Sequence, residues 1–171
     1  MPGPVIFTIR SAEPNDYEAL HLLYAGPRAI WGTLQLPFPS IERWRKRLAE
    51  PSDGVYYLLA SVEQEVVGHL GLYTFPNKPR RRHAGQVGMA VRDNWQGKGV
   101  GSALMQAAVD MADRWLNLSR LELEVYTDNE PAVRLYKKFG FSVEGTLRRY
   151  AFRDGRFVDA YMMARLRQDE P

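Results

Sequence analysis

Residues 92–104 read Arg92-Asp93-Asn94-Trp95-Gln96-Gly97-Lys98-Gly99-Val100-Gly101-Ser102-Ala103-Leu104. A hydrophobic run over 87–91 ends just before them, and the spacing that follows predicts an amphipathic helix from about Val100. Three glycines in five positions let backbone N–H groups converge on one point at the start of that helix. The positive end of the helix dipole lies at the same point, which suits an anion, most often a phosphate. Taken alone, the loop also serves as a tight strand-to-helix turn with no ligand. It is not a Walker A loop, because Gly99 rather than Ser or Thr follows Lys98. It also departs from the dinucleotide fingerprint: Ser102 stands at the third glycine position, and five residues separate Val91 from Gly97.

Upstream of this loop, residues 5–10 alternate and read as a strand. A helix follows, capped within 11–16 and running to about Tyr24, where Gly26-Pro27 breaks it. Residues 27–39 read as a loop rich in apolar groups, and Ser40 caps a short helix through Leu48. Residues 55–62 and 66–75 form a hairpin about Glu63-Gln64-Glu65, and 83–92 is the next strand. Downstream of the loop, Val100, Leu104, Ala108, Met111, Ala112 and Trp115 share one helix face. A strand about Leu121, Leu123 and Val125 comes next. Asn129 caps a helix with Pro131 in its first turn, which Gly140 ends. Residues 142–153 and 156–167 pair about Asp154-Gly155, a favoured turn dipeptide. The predicted order is β-α-α-β-β-β-α-β-α-β-β. It describes an α/β (α+β) fold with a mixed sheet and helices on both faces. One domain over 1–171 is expected at this length.

Composition narrows the function. Hydrophobic content of 45% and charged content of 25% are those of a globular domain, and a net charge of only +3, with the chain's basic residues not strung along one helix, makes nucleic acid not the obvious partner. The run Lys78-Pro79-Arg80-Arg81-Arg82 reads equally as a solvated loop or as the rim of an anion site. The chain has no cysteine, which excludes a thiolate metal site and a cysteine nucleophile. His21, His69 and His83 lack metal-ligand spacing, so no metal is expected. No apolar stretch is long enough to span a membrane, and Met1-Pro2-Gly3-Pro4 has no leader character; a cytoplasmic location is expected.

A second motif runs from Thr127 to Phe141: Thr-Asp-Asn-Glu-Pro-Ala-Val-Arg-Leu-Tyr-Lys-Lys-Phe-Gly-Phe. Tyr136 lies two helical turns after Asn129, so the two share a face about 10 Å apart along the axis. Separately, each has a plain structural use, Asn129 as a cap and Tyr136 as a core aromatic.

Together the two motifs resemble the GNAT family, the Gcn5-related N-acetyltransferases. Gln96-x-x-Gly99-x-Gly101 matches that family's Arg/Gln-x-x-Gly-x-Gly/Ala signature, and the segment from Asn129 to Phe141 matches its Asn-x-x-Ala-x-x-Leu-Tyr-x-x-x-Gly-Phe pattern. The resemblance extends over about residues 5–166 and includes the element order. It implies acetyl-CoA as co-substrate. Backbone groups of Gln96, Gly97, Lys98, Gly99, Val100, Gly101 and Ser102 would hold the pyrophosphate. Met89, Ala90 and Val91 on the preceding strand would lie along the pantetheine arm, and Asn129 would help hold it. That strand and the one at 121–126 should splay apart near Gly88. Tyr136 would face the thioester sulfur as the acid. A homodimer through the final hairpin is a further expectation from the resemblance.

Five further segments, among them Thr33-Leu34-Gln35-Leu36-Pro37 and Val158-Asp159-Ala160-Tyr161, are similar to a bacterial GNAT subgroup that acetylates the α-amine of L-amino acids such as phenylalanine and methionine. The acceptor is then a small-molecule amine. Trp31, Leu34, Leu36, Tyr73 and Phe75 would give it an apolar slot, although the same groups could simply pack the loop onto the sheet. Arg80 and Arg81 are candidate partners for a carboxylate. Many family members carry a glutamate on the strand before the glycine loop, and here Gln86 is the nearest polar group. A water relay is the expected proton path, with His69, His83, Glu122 and Glu124 as candidate bases. Other acceptors are an antibiotic, an amino acid analogue, a polyamine or a protein N-terminus. A non-catalytic acyl-CoA sensor is the alternative of another class.

Overall fold

The computed structural model describes residues 5–168; residues 1–4, read above for a leader, lie outside it. A first strand β1 (Thr8–Ser11) precedes three helices, α1 (Tyr17–Tyr24), α2 (Pro27–Gly32) and α3 (Ile41–Ala49). Strands β2 (Val55–Val62), β3 (Glu65–Thr74) and β4 (Ala84–Val91) lead to α4 (Val100–Arg114). Then come β5 (Arg120–Tyr126), α5 (Glu130–Lys138), β6 (Ser142–Arg153) and β7 (Arg156–Leu166).

Two early elements differ from the sequence reading. Residues 27–32 are helical rather than looped. Pro27 does end α1, but its fixed φ also suits the first position of a new helix. Six residues cannot sustain a helix alone. This one is held by burial of Ala29 and by the Thr33 hydroxyl, which donates to the Ala29 carbonyl at 2.6 Å. The first strand also begins later than expected. Thr8 pairs with Ser61, and β2 ends at Val62, so residues before Thr8 run past their partner.

The sheet order is β1-β2-β3-β4-β5-β7-β6. Among the described residues one pair is parallel, β4 with β5. That pair is short: Ala84, Gly85 and Gln86 oppose Arg120, Leu121 and Glu122, and pairing stops there. Beyond this point β4 stays with β3 as far as Val91, while β5 follows β7 as far as Tyr126. The sheet therefore opens like a V from Gln86 onward, where the splay was expected.

Period-two alternation decides which residues face each side. Leu121, Leu123 and Val125 of β5 join Val87 of β4 in a core under α4, which contributes Val100, Leu104, Met105, Ala108, Val109 and Ala112. Burying each of the larger of these side chains is worth about 1.5–3 kcal/mol. On the other face Leu20, Leu23 and Tyr24 of α1 and Trp44 and Leu48 of α3 pack on Leu59 and Ala90. Asp154 (φ 48°) and Gly155 (φ 80°) close the last hairpin with the left-handed pair that such a turn requires. Among the described residues no helix is long and apolar enough to cross a membrane, and no group of three acidic or histidine residues could hold a metal.

Candidate active site

The opening of the V forms a cleft of about 1200 Å³ that passes from one face of the sheet to the other. Its floor is the unpaired stretch of β4, with Val87, Gly88, Met89, Ala90 and Val91 lining it. A Cβ placed on Gly88 would meet nothing within 4 Å, so the backbone here borders open space.

The half of the cleft on the α4 side is built from backbone. Gly97, Gly99, Val100, Gly101 and Ser102 line it together with Gln96, Asn129 and Tyr136. Gly97 (φ 75°) and Gly99 (φ 90°) take left-handed conformations that carry the chain from β4 into α4. Gly99 is the N-cap, and no side chain caps this helix. The first intrahelical bond there runs from Ala103 N–H to Gly99 O (3.0 Å), leaving the preceding amides free to meet an anion. Gly101 has a different reason from the one the loop suggests. Its Cβ would lie 3.0 Å from Leu135 Cδ2 and 3.6 Å from Met89 Sδ, so its lack of a side chain lets α4 approach α5. Lys98 is not among the lining residues; its ammonium lies 4.9 Å from the centre of the Trp95 ring. Arg28, at the start of α2, lines the cleft and donates to Gln96 Oε1 at 3.2 Å.

Asn129 does cap α5, its Oδ1 accepting from Ala132 N–H at 3.4 Å. Two turns on, Tyr136 is 7% exposed and packs on Phe141 with ring centres 5.9 Å apart. Burial pushes its phenol up to about 12, so it is neutral throughout the physiological range.

The half under α1 and α2 is lined by side chains. Trp31, Leu34 and Tyr73 stand there as expected, joined by Tyr24, Gln86, Glu124, Tyr126 and Tyr150. Phe75 and Leu36 are not among the lining residues. The Phe75 ring instead lies 4.8 Å beneath the Arg81 guanidinium, and Leu36 is largely exposed. Burial pushes the Tyr73 phenol up to about 12.

The candidate bases separate cleanly. His69 is buried, accepts or donates at Nδ1 with the Tyr24 hydroxyl (2.7 Å), and is pushed down to about 3 by burial. His83 is exposed and outside the cleft. Glu122 is ion-paired to Arg81 and, at 2.9 Å, to Arg120. Glu124 alone of the four lines the cleft, and its Oε2 accepts from Gln86 Nε2 at 2.7 Å. The pairing with Glu122 also removes Arg81 as a carboxylate partner, and Arg80 is exposed outside the cleft.

Sequence reasoning missed Tyr126, Tyr150, Asp128 and Arg153. Tyr126 was within reach, since it continues the alternation of Glu122 and Glu124 on the same face. Tyr150 was not. Between Leu147 and Ala151 the β6 strand departs from register with β7, and Arg149 (φ 52°) is held there by its N–H donating to Asp159 Oδ1 at 2.7 Å. That bulge is what turns Tyr150 into the cleft.

Comparison with known proteins places this geometry. Residues 17–141 match the model of the Acetyltransferase (GNAT) family. The chain is 45% identical over 159 residues to L-amino acid N-acetyltransferase AaaT of Escherichia coli (strain K12), covering 93% of this chain and 97% of that protein. It is 37% identical over 167 residues to spermidine N(1)-acetyltransferase of the same organism, covering 95% and 87%. A crystal structure of a GNAT-family acetyltransferase from Streptococcus pneumoniae superposes with a TM-score of 0.79 at 30% identity, over 94% of this chain and 99% of that one. The split sheet, the uncapped glycine-led helix and these matches agree: the chain belongs to the GNAT family of acetyltransferases and takes acetyl-CoA as its donor.

Proposed function

We propose that this chain acetylates the α-amine of a small L-amino acid with an apolar side chain, such as phenylalanine or methionine. The observation that carries the reading is the make-up of the acceptor half of the cleft. It offers one carboxylate with no cationic partner among the described residues, Glu124, beside the aromatic and apolar walls of Trp31, Leu34, Tyr73, Tyr126 and Tyr150. One free carboxylate suits one ammonium, and the walls suit one apolar side chain. The other acidic lining residue, Asp128, is ion-paired to Arg153. A polyamine would leave its further charges unmatched, which weighs against the spermidine reading despite that relative. The similarity to the E. coli L-amino acid enzyme supports the assignment.

In this reading the free amides of Gly99, Val100, Gly101 and Ser102 hold the donor's pyrophosphate, with Gln96 and Gly97 beside them and Lys98 at the rim. The open edge of β4 at Met89, Ala90 and Val91 lies along the pantetheine arm, with Asn129 opposite. Glu124, oriented by Gln86, receives the proton that the acceptor's ammonium must lose, directly or through one water. The neutral amine then attacks the thioester carbonyl. A backbone N–H near Met89 stabilises the oxyanion; its collapse breaks the C–S bond, the sulfur leaves as a thiolate hydrogen-bonded by Tyr136, and the proton left on the new amide nitrogen passes through water to that thiolate.

A second reading rests on the same half of the cleft. With Arg81 paired, Arg80 outside and the lining Arg28 turned to Gln96, neither arginine expected to meet an acceptor's carboxylate is placed to do so, which favours amines lacking one, such as a peptide N-terminus. Thiol release from acetyl-CoA, free of background in a cysteine-less chain, separates these readings across L-Phe, L-Met, L-phenylalaninamide and spermidine. Preference for L-Phe and L-Met supports the first, and preference for the amide supports the second. Preference for spermidine overturns both. Glu124→Gln should lower kcat by about 10²–10⁴-fold without changing the acetyl-CoA KM.

The final hairpin carries Phe152 and Phe157, both exposed, with ring centres 5.1 Å apart. We infer that a homodimer would form through this surface, which light scattering of the purified protein tests.

A further inference from the structure

One charged side chain of the last hairpin is buried against the acceptor wall. Arg153, at the end of β6, reaches back 122 positions in sequence, and its Nη1 donates to the Trp31 carbonyl at 3.3 Å. Its guanidinium lies 3.9 Å from the centre of the Trp31 ring and 4.9 Å from that of Tyr126. Both Nη groups donate to the Asp128 carboxylate, Nη1 to Oδ1 at 3.3 Å and Nη2 to Oδ2. The side chain is 10% exposed, and its buried Nε has no hydrogen-bond partner among the described residues. Burying a charge with one donor unsatisfied costs free energy that a salt bridge alone does not return.

The partners show what this buried charge holds together. Trp31, Tyr126 and Asp128 all line the acceptor half of the cleft, whereas Arg153 itself does not. Trp31 sits near the end of a six-residue helix and is 44% exposed, so little else fixes its ring. The planar guanidinium, clamped by Asp128, fixes the plane of the indole from behind. A lysine ammonium cannot do this, because it offers no flat face and no bidentate fork.

We propose that Arg153 is a positioning residue that holds Trp31 as the wall of the acceptor slot and so sets the KM for the acceptor. This deepens the proposed function, since it rests on Trp31 facing the acceptor. The atoms that react are elsewhere, so the donor's binding and the chemical step are untouched.

The test compares Arg153→Lys, Arg153→Gln, Trp31→Ala and the double variant Trp31→Ala/Arg153→Lys with the wild type. Acetyl-CoA is the donor, and the acceptor is whichever amine of the panel the wild type turns over fastest. Arg153→Lys and Arg153→Gln should each raise the acceptor KM on the order of tenfold, the scale of one desolvated cation–π contact. The acetyl-CoA KM and kcat should hold. The double variant should be no worse than Trp31→Ala alone, because both remove one coupled unit. An unchanged acceptor KM in both Arg153 variants overturns the proposal. So do additive effects, or a fall in kcat and both affinities together, which marks a general loss of structure. If the fastest amine is not an amino acid, the substrate assignment fails, while Arg153 is still judged by the KM of that amine.

Discussion

Replacing Tyr136 by phenylalanine removes one oxygen and leaves the ring that packs on Phe141. The size of the effect follows from the phenol's surroundings. Burial alone raises its pKa to about 12, with no hydrogen bond or charge contributing. A thiol has a reference pKa of about 8.5, so complete transfer from this phenol to a thiolate is uphill by roughly 3.5 units, about 5 kcal/mol. Full proton transfer in the transition state is therefore disfavoured. A hydrogen bond from the phenol to the developing anionic sulfur is worth about 2–3 kcal/mol. Tyr136→Phe should then lower kcat by roughly 30–150-fold, below what loss of a full general acid can cost. The assay is thiol release at saturating donor and acceptor, paired with a thermal melt. The melting temperature should hold, since the substitution keeps the ring that packs on Phe141. The wild-type kcat should show no alkaline decline from this group below pH ~11, because a phenol with a raised pKa stays protonated there. A kcat close to that of the wild type removes Tyr136 from the sulfur. A kcat lost together with several degrees of melting temperature makes its role structural.

Two further predictions concern the packing around the cleft. His69 titrates near 6.5 when unfolded and is pushed down to about 3 when folded, so the unfolded state binds the extra proton between these values. Its contribution is therefore complete above pH ~6.5 and is lost as pH falls toward 3, at about 1.4 kcal/mol per pH unit. Denaturant unfolding at pH 7 and 4.5 should show His69→Gln losing less stability than the wild type on acidification; equal losses refute the argument. The two helix-leading glycines should fail differently. Gly99→Ala forces a side chain into φ 90° at a cost of about 1–2 kcal/mol and should weaken acetyl-CoA binding by calorimetry. Gly101→Ala crowds Leu135, costs about 1 kcal/mol, and should lower kcat by moving α5 and Tyr136. Identical behaviour of the two variants counts against assigning them separate roles.

The fold was legible wherever local chemistry speaks for itself. A run of buried character before the turn at Glu63-Gln64-Glu65 placed β2 at Val55–Val62, and the Asp154-Gly155 pair placed the final turn because few dipeptides adopt two left-handed conformations in sequence. Asn129 followed by Pro131 marked the start of α5, and the glycines after Gln96 marked that of α4. Helix α2 was hidden because its stability comes from tertiary burial of Ala29 rather than from propensity.

The site was legible in its backbone half and much less so in its side-chain half. The free amides at Gly99 and beyond follow from φ angles and helix ends, which neighbouring residues set. The acceptor wall follows from which distant side chains meet. Nothing near Arg81 in sequence says that Glu122 will neutralise it, and nothing near Phe75 says that its ring will lie under Arg81 rather than in the slot. His69 reads alike in sequence whether buried or catalytic, and only its enclosure by Tyr24, Trp44 and Tyr57 makes it a neutral core group.

The sequence by itself thus determined the order of elements, the anion-ready turn and the face shared by Asn129 and Tyr136, because these depend on dihedral preferences and periodicities within a few residues. The tertiary structure decided where β4 and β5 part, which carboxylate stays unpaired, and that Arg153 reaches Trp31. Those outcomes depend on burial and ion pairing between segments far apart in the chain, which take effect only when the sheet closes around them.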